Sequence, residues 1–143
     1  MSYDKELEET RRHAHLFLEA IENTDMQTEE TNMRRFPHDC CTHACSLLAR
    51  YLQDAGLGPF DTIMGQHPRG QGHGKHRWLQ KGDLIVDITA YQFSEIQDKV
   101  LVTRSSAWHD GLAGVPIKED PQEVWEEFYK NLYPRILANV KAA

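Results

Sequence analysis

Residues 37–58, PHDCCTHACSLLARYLQDAGLG, constrain the fold most. Proline disfavours a helical residue ahead of it, so Pro37 ends whatever precedes it. Asp39 suits the N-cap of a helix, and Cys40 to Ala55 run without a breaker until Gly56 and Gly58. Along that predicted helix Cys41, Cys45, Leu48 and Leu52 share a face, and Ala44, Leu47, Tyr51 and Ala55 lie on the neighbouring one. The first of these faces should pack toward a sheet.

The sequence supplies candidates for that sheet. Residues 60–66 read as a strand, and 67–74, HPRGQGHG, as a flexible turn suited to gating a cleft. Residues 75–80 and 83–90 read as a hairpin bent at Lys81-Gly82, and Val100 and Val102 mark a further strand. A helix over 3–23 places Leu7, Ala14, Phe17, Leu18 and Ile21 near one face. Residues 24–35 carry no apolar period and read as a linker. A closing helix over 121–140 starts with Pro121 and presents Val124, Trp125, Phe128, Leu132, Ile136 and Val140. This order predicts an α+β fold in a single domain spanning 1–143. Within it, 1–30 form an acidic N-terminal helix and linker, 36–104 the core and 121–140 the C-terminal helix.

Charge excludes some functions. The net charge is −6, and residues 1–30 hold 9 acids against 3 bases while the remainder is balanced at 13 of each. No clustered basic surface predicts nucleic-acid binding. No apolar run approaches the roughly 20 residues of a membrane span, and the charged N-terminus lacks a signal-peptide pattern, so the expectation is a cytoplasmic chain. Three cysteines, an odd number, argue against a disulfide framework and leave metal binding, catalysis or burial.

A nucleophilic thiol needs help to ionise, a histidine to take and return its proton, and a group that fixes the histidine tautomer. Cys41 lies in the first turn of the predicted helix, where free amides and the helix dipole favour an anion. In a two-residue hairpin closed at Lys81-Gly82, Gln80 faces Asp83, so His76 faces Asp87 across the ladder, close enough for a carboxylate–imidazole bond.

A cysteine opening a helix, a strand carrying His76-Arg77-Trp78-Leu79, and a strand ending VDITAYQF together resemble the transglutaminase-like branch of the papain-fold cysteine hydrolases. Residues 36–93, about 40% of the chain, carry the likeness. The resemblance implies a papain-like core in which a nucleophile helix packs on a small antiparallel sheet flanked by N- and C-terminal helices. It implies Cys41 as nucleophile, His76 as general base and acid, and Asp87 as orienter. It also implies acyl transfer on amide bonds of a peptide or protein, of peptidase, deamidase or transglutaminase type. The chain departs from the pattern at Asp39 and Arg77, where small residues are usual. Cys40 competes with Cys41, which is preferred because it shares the face of Cys45, Leu48 and Leu52.

Other residues take quieter roles. Cys45 reads as core. Trp78 reads as core or cleft wall and Gln92 as a loop anchor; both are candidate substrate contacts. His67 and His73 read as mobile loop residues, and His13, His15 and His109 as surface. No cofactor is required, and oligomeric state is open. Two alternatives stand beside the enzyme: an inactive papain-fold interaction module docking through the acidic helix, and a zinc domain drawing on Cys40, Cys41, His43, Cys45, His67, His73 and His76. Adjacent helical cysteines point about 100° apart, and no paired zinc-ligand spacing appears, which counts against zinc.

Overall fold

The computed structural model describes residues 3–27, 32–70, 74–118 and 122–141. The fold is α+β, with five α-helices and one five-stranded sheet among the described residues. Helix α1 spans Lys5–Glu22, α2 Cys41–Asp54, α3 Ala107–Asp110, α4 Gln122–Val124 and α5 Leu132–Leu137. The strands are β1 Asp61–Gly70, β2 Lys75–Lys81, β3 Leu84–Asp87, β4 Leu101–Thr103 and β5 Val115–Ile117. They lie in the order β4-β3-β2-β1-β5, every pair antiparallel.

Helix α1 begins where Asp4 caps it, accepting a bond from the Leu7 amide at 3.1 Å. Its face of Ala14, Phe17, Leu18 and Ile21 is buried in the main core with Cys45, Leu48 and Leu52 of α2, Leu79 of β2, Leu84 and Val86 of β3, and Leu132 and Ile136 of α5. The acidic segment is therefore part of the fold. Two acids at its start are answered by Arg104, which reaches Asp4 at 2.7 Å, Glu6 at 2.9 Å and, from the hairpin bend, Asp83 at 2.8 Å.

The other face of the sheet carries a smaller cluster of Ile63, Trp78, Ile85 and Leu112. Strand alternation divides the two sets: Leu79, Leu84 and Val86 turn to the main core with α1, α2 and α5, while Trp78 and Ile85 turn to the smaller cluster, and His76 and Asp87 have the same parity as these two.

Several boundaries differ from expectation. Residue Asp39 is not the cap of α2; it sits at φ +56°, paired with Arg35 at 2.7 Å, and Cys40 occupies the cap position. The presumed linker contains a 3₁₀ turn, Asn32–Arg35, that buries Met33 in the core. Strand β1 runs on through His67 to Gly70; residues 71–73 of the expected flexible turn, including His73, lie outside the described residues.

The hairpin bend is Gly82-Asp83, one residue later than expected, with Gly82 at φ +60° as a type II′ turn requires at its first central position. The ladder therefore pairs Lys81 with Leu84 and Leu79 with Val86. Relative to the expected register the partner strand is displaced by two residues. Because the side-chain period is two, His76 and Asp87 keep the same face and become diagonal neighbours.

The closing helix is broken. Gln122–Val124 passes into a π turn at Trp125–Tyr129, where the Lys130 amide bonds back five residues to Trp125 at 3.0 Å, before α5 begins. Pro134 explains the interruption: its ring excludes a continuous helix across the carbonyl four residues earlier, at Lys130.

Candidate functional site

The side chains meet where the first turn of α2 comes to the end of β2. Cys41 is the first helical residue of α2, and His76 is the second residue of β2. The imidazole Nε2 lies 2.7 Å from Asp87 Oδ2. With Nε2 engaged, Nδ1 is the nitrogen left for the neighbouring Cys41 thiol, which contributes to raising the proton affinity of the ring. Nδ1 is buried and has no conventional hydrogen-bond partner among the described residues. Of the residues singled out in the sequence, Cys41, His76 and Asp87 are thus gathered in one place.

Asp87 is anchored on both oxygens. Oδ1 accepts from the Thr89 and Ala90 amides, both at 2.9 Å, at the start of the 3₁₀ turn Ala90–Gln92. Oδ2 accepts from His76 and also from His109 Nε2 at 2.8 Å. Contrary to expectation, His109 is not a surface residue. It is 2% exposed, its ring set at 4.8 Å from both Trp78 and Trp108. The local signal in the sequence is slight: Ser106, three residues earlier, caps α3 by accepting the His109 amide at 3.2 Å and meets Nδ1 at 2.6 Å.

The charges follow from this packing. Burial opposes protonation of His76, but the Asp87 charge and bond, with the contribution of Cys41, outweigh it and push the ring up to about 10 from its ordinary 6.5. Burial likewise opposes ionisation of Asp87, and the two imidazoles overcome it, holding the carboxyl well below its ordinary 3.8. Burial first, then the neighbouring Cys41 and Asp39 charges, pushes Cys40 up to about 12; burial pushes Cys45 well up too.

These shifts predict a pH profile for stability. The raised His76 stabilises fully below pH 6.5 and loses that contribution as pH climbs through about 10; the lowered Asp87 stabilises above pH 3.8 and loses it on acidification. The contribution of the pair is therefore complete between about pH 4 and 6.5. Thermal melts of wild type and His76→Phe should diverge most in that window and converge from pH 7 toward 10. A constant difference across that range excludes a charged His76 in the folded protein.

Two neighbouring residues hold the surroundings. The Gln92 carboxamide oxygen accepts from the Asp39 amide at 3.4 Å and its nitrogen donates to the Thr89 carbonyl at 3.1 Å, tying the loop after β3 to the entry of α2. Trp78, 2% exposed, stands in the core behind His109. Above His76 lies an aromatic cover that the sequence reading missed. Phe93 and Trp108 sit with ring centres 5.2 and 5.6 Å from His76, and His67 stacks on Phe93 at 3.9 Å. His67 is buried, not a mobile loop residue. Glu95 fastens this cover, accepting from His67 at 2.7 Å, Arg69 at 2.6 Å and the Trp108 indole at 3.2 Å.

No family model, curated protein or solved structure matches the chain.

Proposed function

We propose that the protein is a thiol-dependent acyl-transfer enzyme acting on amide bonds of a peptide or protein, with Cys41, His76 and Asp87 as its triad. The observation that carries this reading is the geometry of His76: one ring nitrogen is held by a buried carboxylate, and the other, buried and without a conventional bond, is left to a thiol at a helix N-terminus.

The chemistry follows from that arrangement. Asp87 accepts only, so His76 keeps a proton on Nε2; Nδ1 holds the proton taken from the Cys41 thiol, and the charged ring faces a sulfur free to attack. The sulfur attacks the carbonyl carbon of the amide. First-turn amides of α2, which have no intrahelical acceptor, suit the oxyanion that forms. As the C–N bond breaks, His76 returns its proton to the departing amine and a thioester remains on Cys41. Water, deprotonated by His76, or an incoming amine then releases the acyl group; water makes the enzyme a peptidase or deamidase, an amine makes it a transglutaminase. Cys41 is 2% exposed and His76 fully buried, so a substrate must displace part of the cover before the reaction begins.

Thiol alkylation tests the reading. Iodoacetamide at neutral pH is expected to modify Cys41 ahead of Cys40 and Cys45, whose thiols burial holds protonated. Cys41→Ala should remove the fast label, and His76→Ala should slow it about a hundredfold. Slow, even labelling of all three cysteines would instead support an inactive interaction module.

A second reading has its own observation. One ring nitrogen each of His76 and His109 and a carboxylate oxygen of Asp87 lie within 4.8 Å of one another, a donor set suited to a divalent metal. The thiol would take no part in it, since Cys41 addresses the opposite nitrogen of His76. Stoichiometric zinc in the purified protein, with a melting temperature lowered by a chelator, would favour this reading; a chelator without effect favours the thiol enzyme.

A further inference from the structure

We propose that His109 is a positioning residue: by donating Nε2–H to the Asp87 oxygen that also receives His76, it fixes the carboxylate and, through it, the direction in which His76 presents Nδ1 to Cys41. This rests on the thiol-enzyme reading and adds to the triad a fourth member, one outside the stretch that resembles the cysteine hydrolases.

The case is geometric. A carboxylate held only by His76 and the two loop amides would be fixed at Oδ1 and able to swing Oδ2. The second imidazole closes that freedom, with bonds of 2.7 and 2.8 Å converging on Oδ2 from two different elements, β2 and α3. His109 is itself held from three sides. Its Nδ1 lies 2.6 Å from the Ser106 hydroxyl, whose oxygen also accepts the His109 amide, and the rings of Trp78 and Trp108 enclose the imidazole. Because a carboxylate accepts and cannot donate, Nε2 of His109 must carry a proton. The Ser106 hydroxyl is free to donate to Nδ1, so a single tautomer satisfies the whole run from Ser106 to His76. A purely architectural residue in this apolar pocket needs no ring nitrogens; phenylalanine would fill it.

That contrast defines the test. His109→Phe keeps a ring between the two indoles and removes the donor; His109→Gln keeps an N–H donor. The readouts are the rate of Cys41 alkylation by iodoacetamide and the downfield NMR resonance of the His76 Nε2 proton. His109→Phe is expected to slow alkylation about tenfold or more and to shift or broaden the His76 resonance, while His109→Gln stays within about threefold of wild type. If His109→Phe does not fold, Ser106→Ala, which frees the His109 ring, should slow alkylation in the same direction. Wild-type rates and an unmoved resonance in His109→Phe, or in Ser106→Ala if that variant stands in for it, overturn the inference while leaving the triad intact. A wild-type Cys41 no more reactive than Cys40 and Cys45 overturns the triad reading, and this inference falls with it.

Discussion

Replacing Asp87 by alanine is expected to destabilise the protein by about 3–5 kcal/mol, because the remaining groups are buried and lose their common acceptor. His76 is fully buried and His109 nearly so, and each spends Nε2 on the same oxygen. The Thr89 and Ala90 amides lose Oδ1, and with it the start of the 3₁₀ turn that carries Gln92 toward Asp39. Denaturant unfolding of Asp87→Ala measures the loss. A variant within about 1 kcal/mol of wild type would mean that the carboxylate is not the hub of this cluster.

Asp87→Asn separates stability from chemistry. The amide oxygen can still accept from Thr89 and Ala90, so the loop should hold. The amide nitrogen then faces two imidazole N–H groups, donor against donor. Each ring relieves the clash by moving its proton to Nδ1. For His76 that puts a proton where the Cys41 sulfur needs a base. The equivalent carboxylate-to-amide change in a serine triad leaves geometry intact and costs about 10,000-fold. Alkylation of Cys41 in Asp87→Asn should therefore fall by orders of magnitude in a protein that still folds. A wild-type rate would remove Asp87 from any orienting role.

Much of this arrangement was legible because periodicity survives small errors. The helices at 5–22 and 41–54 follow from their apolar spacing, and the expected β4 from Val100 and Val102. The hairpin bend was misplaced by one residue, since either Lys81-Gly82 or Gly82-Asp83 makes an acceptable two-residue turn. The error shifted the ladder by an even number, which is why His76 and Asp87 still share a face. What stayed hidden has no local signature. Strand β5 is three residues long, lies on the sheet edge and contains Pro116, which an edge tolerates and a sequence pattern discounts. His109 sits in a four-residue helix, and its bond to the site is made to Asp87, 22 positions away. Pro134 lies inside an otherwise regular apolar period, which masks the break ahead of α5.

Trp78→Ala is expected to cost about 3–5 kcal/mol, as truncation of a large buried aromatic does. The indole is the centre of the smaller core: it stands opposite Ile63 in the ladder and packs with Ile85 and Leu112. Two glycines make room for it. A Cβ on Gly65 would lie 2.9 Å from the indole Cη2, and one on Gly114 would lie 2.7 Å from the same atom. Gly65→Ala and Gly114→Ala should accordingly destabilise by about 1–3 kcal/mol through overpacking, in the same direction as removing the ring. The indole is also one of the two walls around His109, at 4.8 Å. Its loss should therefore slow Cys41 alkylation even under conditions where the variant remains folded. Trp78→Phe, which restores a smaller wall, should recover part of both effects. If Trp78→Ala unfolds with a midpoint near that of wild type, the second core is not a determinant of stability; if it unfolds early but alkylates at the wild-type rate, His109 does not depend on this wall for its orientation.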